Sequence, residues 1–424
     1  MKLPIRLLLG FILLISACTG SAEKNISDSK IYMEIANEYL WAGETDNALR
    51  EVDNALKAYP ENVSALFFKA EILGIAGRHD EAFSVLDTVR ENRGFTAEME
   101  YLNEHWTGVI HYHKGEFSKA AEHLETSRKL DPSYLTSAVL LIQVYSKMNL
   151  PEKVLKYALE WTELEPDSGK AWASLGIHSV DVGQFGPAKK ALDKAKELDP
   201  KSPLVYNYLG RWAEEQAMLK EAEEHYLKSI SLNDNIAFVH LNLGQLYMRI
   251  GQLEKAYPTL KKSAELDSTI PYTLFWLARY HQAKGEFQKA LDYLSSSIKL
   301  DPDFIPGRIG YAELSSITGK NIDSAIALLE KGLEVSQENR KAFFYYLGVL
   351  HLANNELNKS MEYAENTLAL LGKNDREGLA DIHLLKGKIF LERKDRKSAT
   401  AEFLLATEQA PDSQTAIEAQ RLLQ

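Results

Sequence analysis

The chain has 424 residues, of which 45% are hydrophobic and 26% charged, so it is long and apolar enough to bury a continuous core. Its net charge of −11 argues against nucleic acid as a partner and against electrostatic docking on anionic lipid, because both need a basic face. The single cysteine excludes disulfides within the chain and zinc sites built from several cysteines.

The N-terminus has the pattern of a secretory signal. A positive start at Lys2 and Arg6 is followed by a short apolar run over residues 7–15, and small residues then precede Cys18. The run is too short to cross a bilayer, which needs about 20 apolar residues. We therefore predict that residues 1–17 are a signal peptide.

The segment Ile-Ser-Ala-Cys that ends at Cys18 resembles the lipobox of bacterial lipoproteins. The resemblance implies cleavage before Cys18, diacylation of its thiol and a third acyl chain on its new amine. Acyl chains anchor a protein stably, at about 0.8 kcal/mol per buried CH₂. The alternative is an ordinary signal peptide that is cut nearby, with loss of the cysteine.

The residues after the cysteine bear on its destination. Thr19, rather than aspartate, follows Cys18, and by the same resemblance this favours an outer-membrane lipoprotein that faces the periplasm. Residues 18–28 are polar, and we predict that they form a flexible tether that holds the folded part off the membrane.

A 34-residue period begins beyond the tether. Residues that stop or start helices recur at this spacing, as expected of a repeated pair of helices. These ladder residues are Pro132, Pro166, Pro200, Asp234, Ser268, Pro302 and Ser336, with Pro60 upstream after two short slips.

Small residues recur in phase with the ladder, because two helices of a hairpin approach closely only where a side chain is nearly absent. The first small slot holds Ala36, Ala70, Gly108, Gly176, Gly210, Gly244, Ala278, Gly348 and Gly387. Twelve residues later, the second small slot holds Ala48, Ala82, Ala120, Ala188, Ala222, Ala256, Ala290 and Ala399. A loop glycine follows the first slot by seven residues at Gly43, Gly77, Gly115, Gly183, Gly251 and Gly285. A large apolar residue follows the second slot by four residues at Val52, Leu86, Leu124, Leu192, Tyr226, Leu260 and Leu294.

This pattern, seen most fully in residues 171–200, resembles the tetratricopeptide repeat family. The resemblance implies an all-α fold, a right-handed α-solenoid of about eleven helical hairpins over residues 29–412. Residues 413–424 read as a helix that caps the last repeat, which an open-ended solenoid needs. The family does not specify one function.

Four places depart from the period. We predict loop insertions at residues 91–99, 320–324 and 372–378, which are tolerated loops rather than hinges in the simpler interpretation. Ile142 and Val154 occupy the two small slots of the fourth repeat, so its hairpin is the least regular.

No motif for catalysis is found in the sequence, so we predict neither an enzyme nor a cofactor. His105, His111, His113 and His123 lie close together in the third repeat. The spacing of His111 and His113 places them on different faces of a helix, so we predict ordinary surface histidines and no metal site.

By resemblance to the family, the first helix of each hairpin lines the concave groove. The groove positions of the sixth to eighth repeats are rich in arginine, asparagine and aromatic residues, which suits an extended or C-terminal acidic peptide, as in the carboxylate-clamp members. These predicted groove residues are Asn207, Tyr208, Arg211, Asn242, Gln245, Arg249, Tyr272, Trp276 and Arg279. The clamp is not reproduced residue for residue, and the alternative is a polar groove whose arginines pair with neighbouring carboxylates such as Glu214.

Four consecutive aromatic residues, at positions 343–346, open the tenth repeat. Helical spacing spreads them around the axis, so one or two should be exposed. We predict that they serve packing between repeats, with a platform for a partner or a sugar as the alternative.

Together these features predict a protein-binding scaffold in bacterial envelope assembly, anchored by acyl chains on Cys18. Pilus, secretion, outer-membrane protein and polysaccharide-export machineries all remain open. The alternative function is a carbohydrate-associated component of exopolysaccharide synthesis or export.

Overall fold

A computed structural model describes residues 20–336 and 339–424, and within these residues every regular element is helical. The described residues divide into two compact units, one that ends at Leu232 and one that begins at Asn233. Within each unit, almost every odd-numbered helix contacts the helix that follows it in the chain more extensively than any other helix. This is the pattern of helical hairpins.

In the described part of the first unit, twelve helices form six hairpins. They are α1 Gly20–Trp41, α2 Thr45–Ala58, α3 Val63–Ile75, α4 His79–Val89, α5 Glu100–Lys114, α6 Phe117–Leu130, α7 Leu135–Lys147, α8 Pro151–Leu164, α9 Gly169–Asp181, α10 Phe185–Leu198, α11 Pro203–Glu215 and α12 Leu219–Leu232.

In the described part of the second unit, ten helices form five hairpins and one further helix follows them. They are α13 Ala237–Arg249, α14 Leu253–Leu266, α15 Pro271–Ala283, α16 Phe287–Leu300, α17 Ile305–Thr318, α18 Ile322–Val335, α19 Arg340–Ala353, α20 Leu357–Leu370, α21 Arg376–Glu392, α22 Arg396–Gln409 and α23 Gln414–Leu423. The helix α23 packs on α21 and α22, so the predicted eleven hairpins and capping helix are confirmed.

The helical hairpins turn at the predicted loop glycines. All six have positive φ, between 73° and 82°, a conformation that glycine adopts without a Cβ penalty. Four hairpins lack this glycine and place Asn149, Ala217, Asn355 and Lys394 there instead, with φ between 54° and 61°. The turn geometry is therefore kept even where the sequence signal for it is missing.

The small slots are buried as predicted, but the first slot faces a different neighbour. A Cβ at Gly176 would lie 2.6 Å from the side chain of Leu192, and a Cβ at Gly210 would lie 2.5 Å from the ring of Tyr226. The first slot thus receives the large residue that follows the second small slot by four positions. The two small residues make room for this large side chain rather than simply for each other.

A second recurring contact was not predicted. Six residues after a ladder position, a side chain of the next helix donates a hydrogen bond to the backbone carbonyl of the ladder residue. Carbonyls near the end of a helix otherwise lack a partner in the helix and bond to water. The donors are Trp172 Nε1 to Pro166 O at 2.7 Å, Tyr206 Oη to Pro200 O at 3.2 Å, His240 Nε2 to Asp234 O at 2.9 Å and Arg308 Nε to Pro302 O at 2.8 Å.

The predicted insertion at residues 91–99 forms a loop with a 3₁₀ turn, Ala97–Met99. Asn92 Nδ2 donates to Pro60 O at 2.8 Å, and Gly94 N donates to Asn92 Oδ1 at the same distance. A Cβ at Gly94 would lie 2.2 Å from Glu61 O, so this loop fits closely against the preceding ladder position. These contacts favour an attached loop over a hinge.

The fourth hairpin forms with large side chains in both small slots. Ile142 and Val154 are 5% and 3% exposed, so α7 and α8 bury them in place of glycine and alanine. The predicted loop at residues 372–378 is shorter than expected, because residues 376–378 already belong to α21. Asp375 caps this helix, and its carboxylate accepts from Gly378 N at 3.1 Å.

The N-terminal end differs from the prediction in part. Residues 1–19, with the predicted signal peptide and Cys18, lie outside the described residues. Residues 20–28, expected within a flexible tether, form the start of α1. Asn62 Nδ2 donates to the buried Ser29 Oγ at 2.9 Å, and a helix fixed at one point extends more easily than a new one forms. None of the described helices combines the length and apolar character needed to cross a membrane.

Candidate partner-binding site

In the first unit, the predicted groove residues have different environments. Asn207, predicted to belong to the groove, is 1% exposed and interacts within the chain, so its side chain offers little surface to a partner. Tyr208 is half-buried and packs beside the core of Ile177 and Val180, and this burial raises its pKa. Arg211 Nη2 bonds to Asp181 Oδ1 at 2.9 Å, and both side chains are partly exposed.

In the second unit, Asn242 and Gln245 are half-buried, whereas Arg249 is exposed. Asn242 and Arg249 both interact with other residues of the chain. Trp276 is half-buried and packs beside the core of Leu241 and Leu260. The remaining two predicted residues, on α15, lie at a pocket.

The pocket lies on the side of the first helices α15 and α17 and has a volume of about 580 Å³. It is open to solvent, and its lining mixes aromatic, aliphatic and charged side chains. The lining residues are Tyr272, Phe275, Arg279, Asp301, Asp303, Phe304, Ile305, Pro306, Ile309, Gly310, Glu313 and Asn339. We call it the α15–α17 pocket.

Three aromatic rings form one wall of the α15–α17 pocket. The Tyr272 ring meets Phe304 edge to face with centroids 4.8 Å apart, and Phe275 meets Phe304 at 6.2 Å. Phe304 is 6% exposed, whereas Tyr272 is 49% exposed. The buried ring therefore fixes the position of an exposed one, and an exposed, fixed aromatic ring suits partner binding.

Arg279 lies at the pocket and is already engaged. Its Nη1 is 3.0 Å from both Glu313 carboxylate oxygens, and its guanidinium lies over the Phe275 ring at 5.5 Å. Gln282 Nε2 also donates to Glu313 Oε1 at 3.2 Å. This is the pairing of groove arginines with neighbouring carboxylates that the sequence left as the alternative.

A second, smaller pocket of about 350 Å³ lies at the hairpin of α15 and α16. Tyr257, His281, Lys289, Asp292, Tyr293 and Ser296 line it. The His281 and Tyr293 rings stack with centroids 5.3 Å apart and planes 10° from parallel. Two tyrosines beside polar groups are thus brought together here.

The clustered histidines are not ordinary surface residues, contrary to the prediction. His105 is fully buried, and the rings of His111 and His123 stack at 5.3 Å. His111 Nδ1 lies 2.8 Å from Glu116 Oε2, and His123 Nδ1 lies 2.8 Å from Glu104 Oε2. Within the described residues, no three His, Cys, Asp or Glu side chains are grouped so that they could hold a metal ion.

A turn contact that the sequence analysis missed recurs three times. A histidine three residues after the first small slot bonds through Nδ1 to a glutamate five residues further on, each time at 2.8 Å. The pairs are His111–Glu116, His281–Glu286 and His351–Glu356. The regular spacing of these two residue types was the available signal.

The aromatic run at residues 343–346 is less exposed than predicted. Phe343 is fully buried beside Gly332, and the other three rings are half-buried. Phe344 lies 5.9 Å from the ring of Tyr363, and burial raises the pKa of Tyr346 to about 12. These contacts favour the packing interpretation.

Comparison with known proteins supports this fold. A family model described as tetratricopeptide repeat matches residues 33–95, and a second with the same description matches residues 239–270 and 271–304. The curated proteins contain no match to the chain.

Two solved structures are similar over most of their length. The human IFIT1 dimer with PPP-AAAA is 16% identical with a TM-score of 0.56, over 85% of this chain and 90% of that chain. The Cut9–Hcn1 hetero-tetramer of the APC/C is 14% identical with a TM-score of 0.53, over 95% of this chain and 92% of that chain. At these identities the similarity shows the fold alone. The chain thus contains tetratricopeptide repeats and folds as an α-solenoid of such hairpins, and repeats of this type generally act as scaffolds for protein–protein interaction.

Proposed function

We propose that the chain is a membrane-anchored scaffold that binds protein partners during bacterial envelope assembly. The observation that carries the binding role is the α15–α17 pocket, where an exposed aromatic ring is fixed by a buried one on the first-helix side of two repeats. Protein partners are commonly held by such anchoring pockets with a polar rim. Binding, rather than catalysis, is the proposed role.

The anchor is proposed from the sequence. Cys18 follows an apolar signal of nine residues and would carry the acyl chains, with the repeats in the periplasm at the outer membrane. Metabolic labelling with a palmitate analogue, together with membrane fractionation, tests this. We expect label and membrane association in the native chain and neither in Cys18→Ala; equal labelling of both would contradict the anchor.

Affinity capture tests the scaffold role. The full-length lipidated chain is captured from cross-linked envelopes, and its partners are identified by mass spectrometry beside three variants. Cys18→Ala removes the anchor, Tyr272→Ala removes the exposed ring of the pocket, and Phe287→Ala removes an exposed aromatic ring of α16 outside that pocket.

We expect one dominant envelope protein with the native chain and with Phe287→Ala. Its recovery should fall at least tenfold with Tyr272→Ala and also fall with Cys18→Ala. Recovery that does not depend on Tyr272 would contradict this binding surface.

A second candidate function is binding of an envelope polysaccharide. The pocket at Tyr257 and Tyr293 favours it, because aromatic rings beside His281, Lys289 and Asp292 are the groups that hold sugar rings and hydroxyls. Polysaccharide that co-purifies with the native chain, and is lost in Tyr257→Ala, would favour this function over the scaffold.

A further inference from the structure

The partner of the α15–α17 pocket can be characterised by its charge. Among the twelve lining residues, Asp301, Asp303 and Glu313 are acidic and Arg279 is the basic one, which gives the lining a net charge of −2. The pocket is therefore acidic as well as aromatic.

The arginine does not reverse this balance. Arg279 is held by both oxygens of Glu313 and by the face of Phe275, so its charge is compensated within the pocket. An incoming carboxylate would have to compete with Glu313 for the guanidinium and would meet Asp301 and Asp303 on the same rim. Like charges in one site are disfavoured, so an acidic ligand fits poorly.

Asp301 is the lining carboxylate that can still pair with a ligand. It is exposed, and its Oδ1 accepts from the backbone N of Asp303 at 3.0 Å, whereas no ion pair with it is formed by any other residue that the structure describes. Asp303 Oδ1 lies 3.4 Å from Nη2 of the buried Arg308, so the negative charge of Asp303 is partly compensated. A cation that enters the pocket would find Asp301 at the rim and the exposed Tyr272 ring in the wall.

We propose that this pocket binds a basic segment of a partner protein, in which a lysine or arginine lies next to an aliphatic or aromatic residue. The apolar residue would pack on the Tyr272, Phe275 and Phe304 wall, and the cation would pair with Asp301 and with the face of the exposed Tyr272 ring. This inference rests on the proposed scaffold function and replaces the acidic peptide that the arginine count alone favoured.

Selection from a random peptide library displayed on phage tests the proposal with the purified full-length chain. The readout is the ratio of Lys and Arg to Asp and Glu in the enriched sequences. Tyr272→Ala tests the aromatic wall, Asp301→Asn combined with Glu313→Gln removes two negative charges while keeping side-chain shape, and Phe287→Ala is the control. Circular dichroism establishes that every variant keeps its helix content.

We expect the native chain and Phe287→Ala to enrich sequences with at least a threefold excess of basic over acidic residues beside an apolar residue. The enrichment should be lost in Tyr272→Ala, and the basic excess should fall to about one in the double variant. Acidic sequences that depend on Tyr272 would overturn the inference and leave the scaffold proposal intact. No enrichment dependent on Tyr272 for any sequence would overturn both.

Discussion

At the residue scale, the first small slot of each repeat is defined by the side chain that fills it. Leu192 occupies the space that a Cβ at Gly176 would take, with its backbone nitrogen only 3.3 Å away. Because backbone atoms also lie close, the neighbour cannot simply rotate aside. The glycine is needed for close approach and not for backbone conformation.

We predict that Gly176→Ala destabilises the hairpin of α9 and α10 by about 1–3 kcal/mol, because the added methyl group overpacks the slot. Gly186 in α10 is the matched control, since a Cβ there meets nothing within 4 Å. Gly186→Ala should stabilise by about 0.5–1 kcal/mol through the lower helix cost of alanine. Urea unfolding midpoints check both; equal shifts in one direction would contradict the packing account.

His105 is held as a neutral side chain by a chain of hydroxyl groups. Ser127 Oγ donates to Tyr101 O, so the Ser137 hydroxyl must donate to Ser127, and His105 Nδ1–H then donates to Ser137 Oγ at 2.9 Å. This leaves Nε2 as an unprotonated, buried nitrogen that forms no hydrogen bond with any residue the structure describes. Burial lowers the pKa of His105 to about 3.

The unfolded chain therefore takes up a proton on His105 near its ordinary pKa of about 6.5, while the folded chain does so only near 3. The contribution of neutral His105 to the free energy of unfolding is therefore fully present above about pH 6.5 and is lost as the pH falls towards 3. Between about pH 7 and pH 5, the native chain should lose about 2 kcal/mol more unfolding free energy than His105→Gln. Urea titrations at both pH values check this; parallel losses would contradict it.

At the element scale, the donor six residues after the ladder position joins the end of one hairpin to the next. Arg308 is 1% exposed and donates to Pro302 O and Leu328 O. Trp172 makes a single bond, to Pro166 O, at a site that is more exposed. The donor position six residues after the ladder is thus occupied by side chains that differ widely in burial.

We predict that Arg308→Met costs about 2–4 kcal/mol, because it leaves two carbonyls without their donor. Trp172→Phe should cost less than about 1.5 kcal/mol, since it removes one hydrogen bond and water can reach the carbonyl. Chemical unfolding of both variants measures the difference. Equal costs would show that the donor contributes through bulk rather than hydrogen bonding.

The turns between paired helices allow a test with opposite signs. Gly183 has φ of 74° and Ala217 has φ of 55° at corresponding turns. Gly183→Ala should destabilise by about 1 kcal/mol, whereas Ala217→Gly should be neutral or slightly stabilising because it relieves the left-handed strain. Thermal unfolding of both variants checks this. A loss of stability in Ala217→Gly as large as that in Gly183→Ala would contradict this account of strain at the turns.

At the scale of the whole molecule, the period of 34 residues was enough to predict the eleven hairpins and the capping helix. The period predicts the hairpins because the same position has the same structural role in every repeat. Ala188 is buried between helices, for example, and Gly183 forms the turn. It also located the fourth hairpin, where Ile142 and Val154 replace small residues.

The candidate site was predicted only in part. Tyr272 and Arg279 do line the pocket, but Asn207 is buried, and Trp276 is half-buried beside the core of the second unit. Glu313, which compensates Arg279, lies 34 residues further on, and counting arginines along one face could not reveal this pairing. The charge of a groove depends on contacts between repeats, which a pattern within one repeat does not contain.

The most direct test of the scaffold account is site-specific photo-crosslinking in intact cells. A photoreactive amino acid replaces Tyr272 in the full-length chain, and a second version carries it at Phe287, which is similarly exposed but lies outside the α15–α17 pocket. The account predicts one discrete protein adduct from position 272 and none from position 287. The same adducts from both positions, or none from position 272, would contradict partner binding at this pocket.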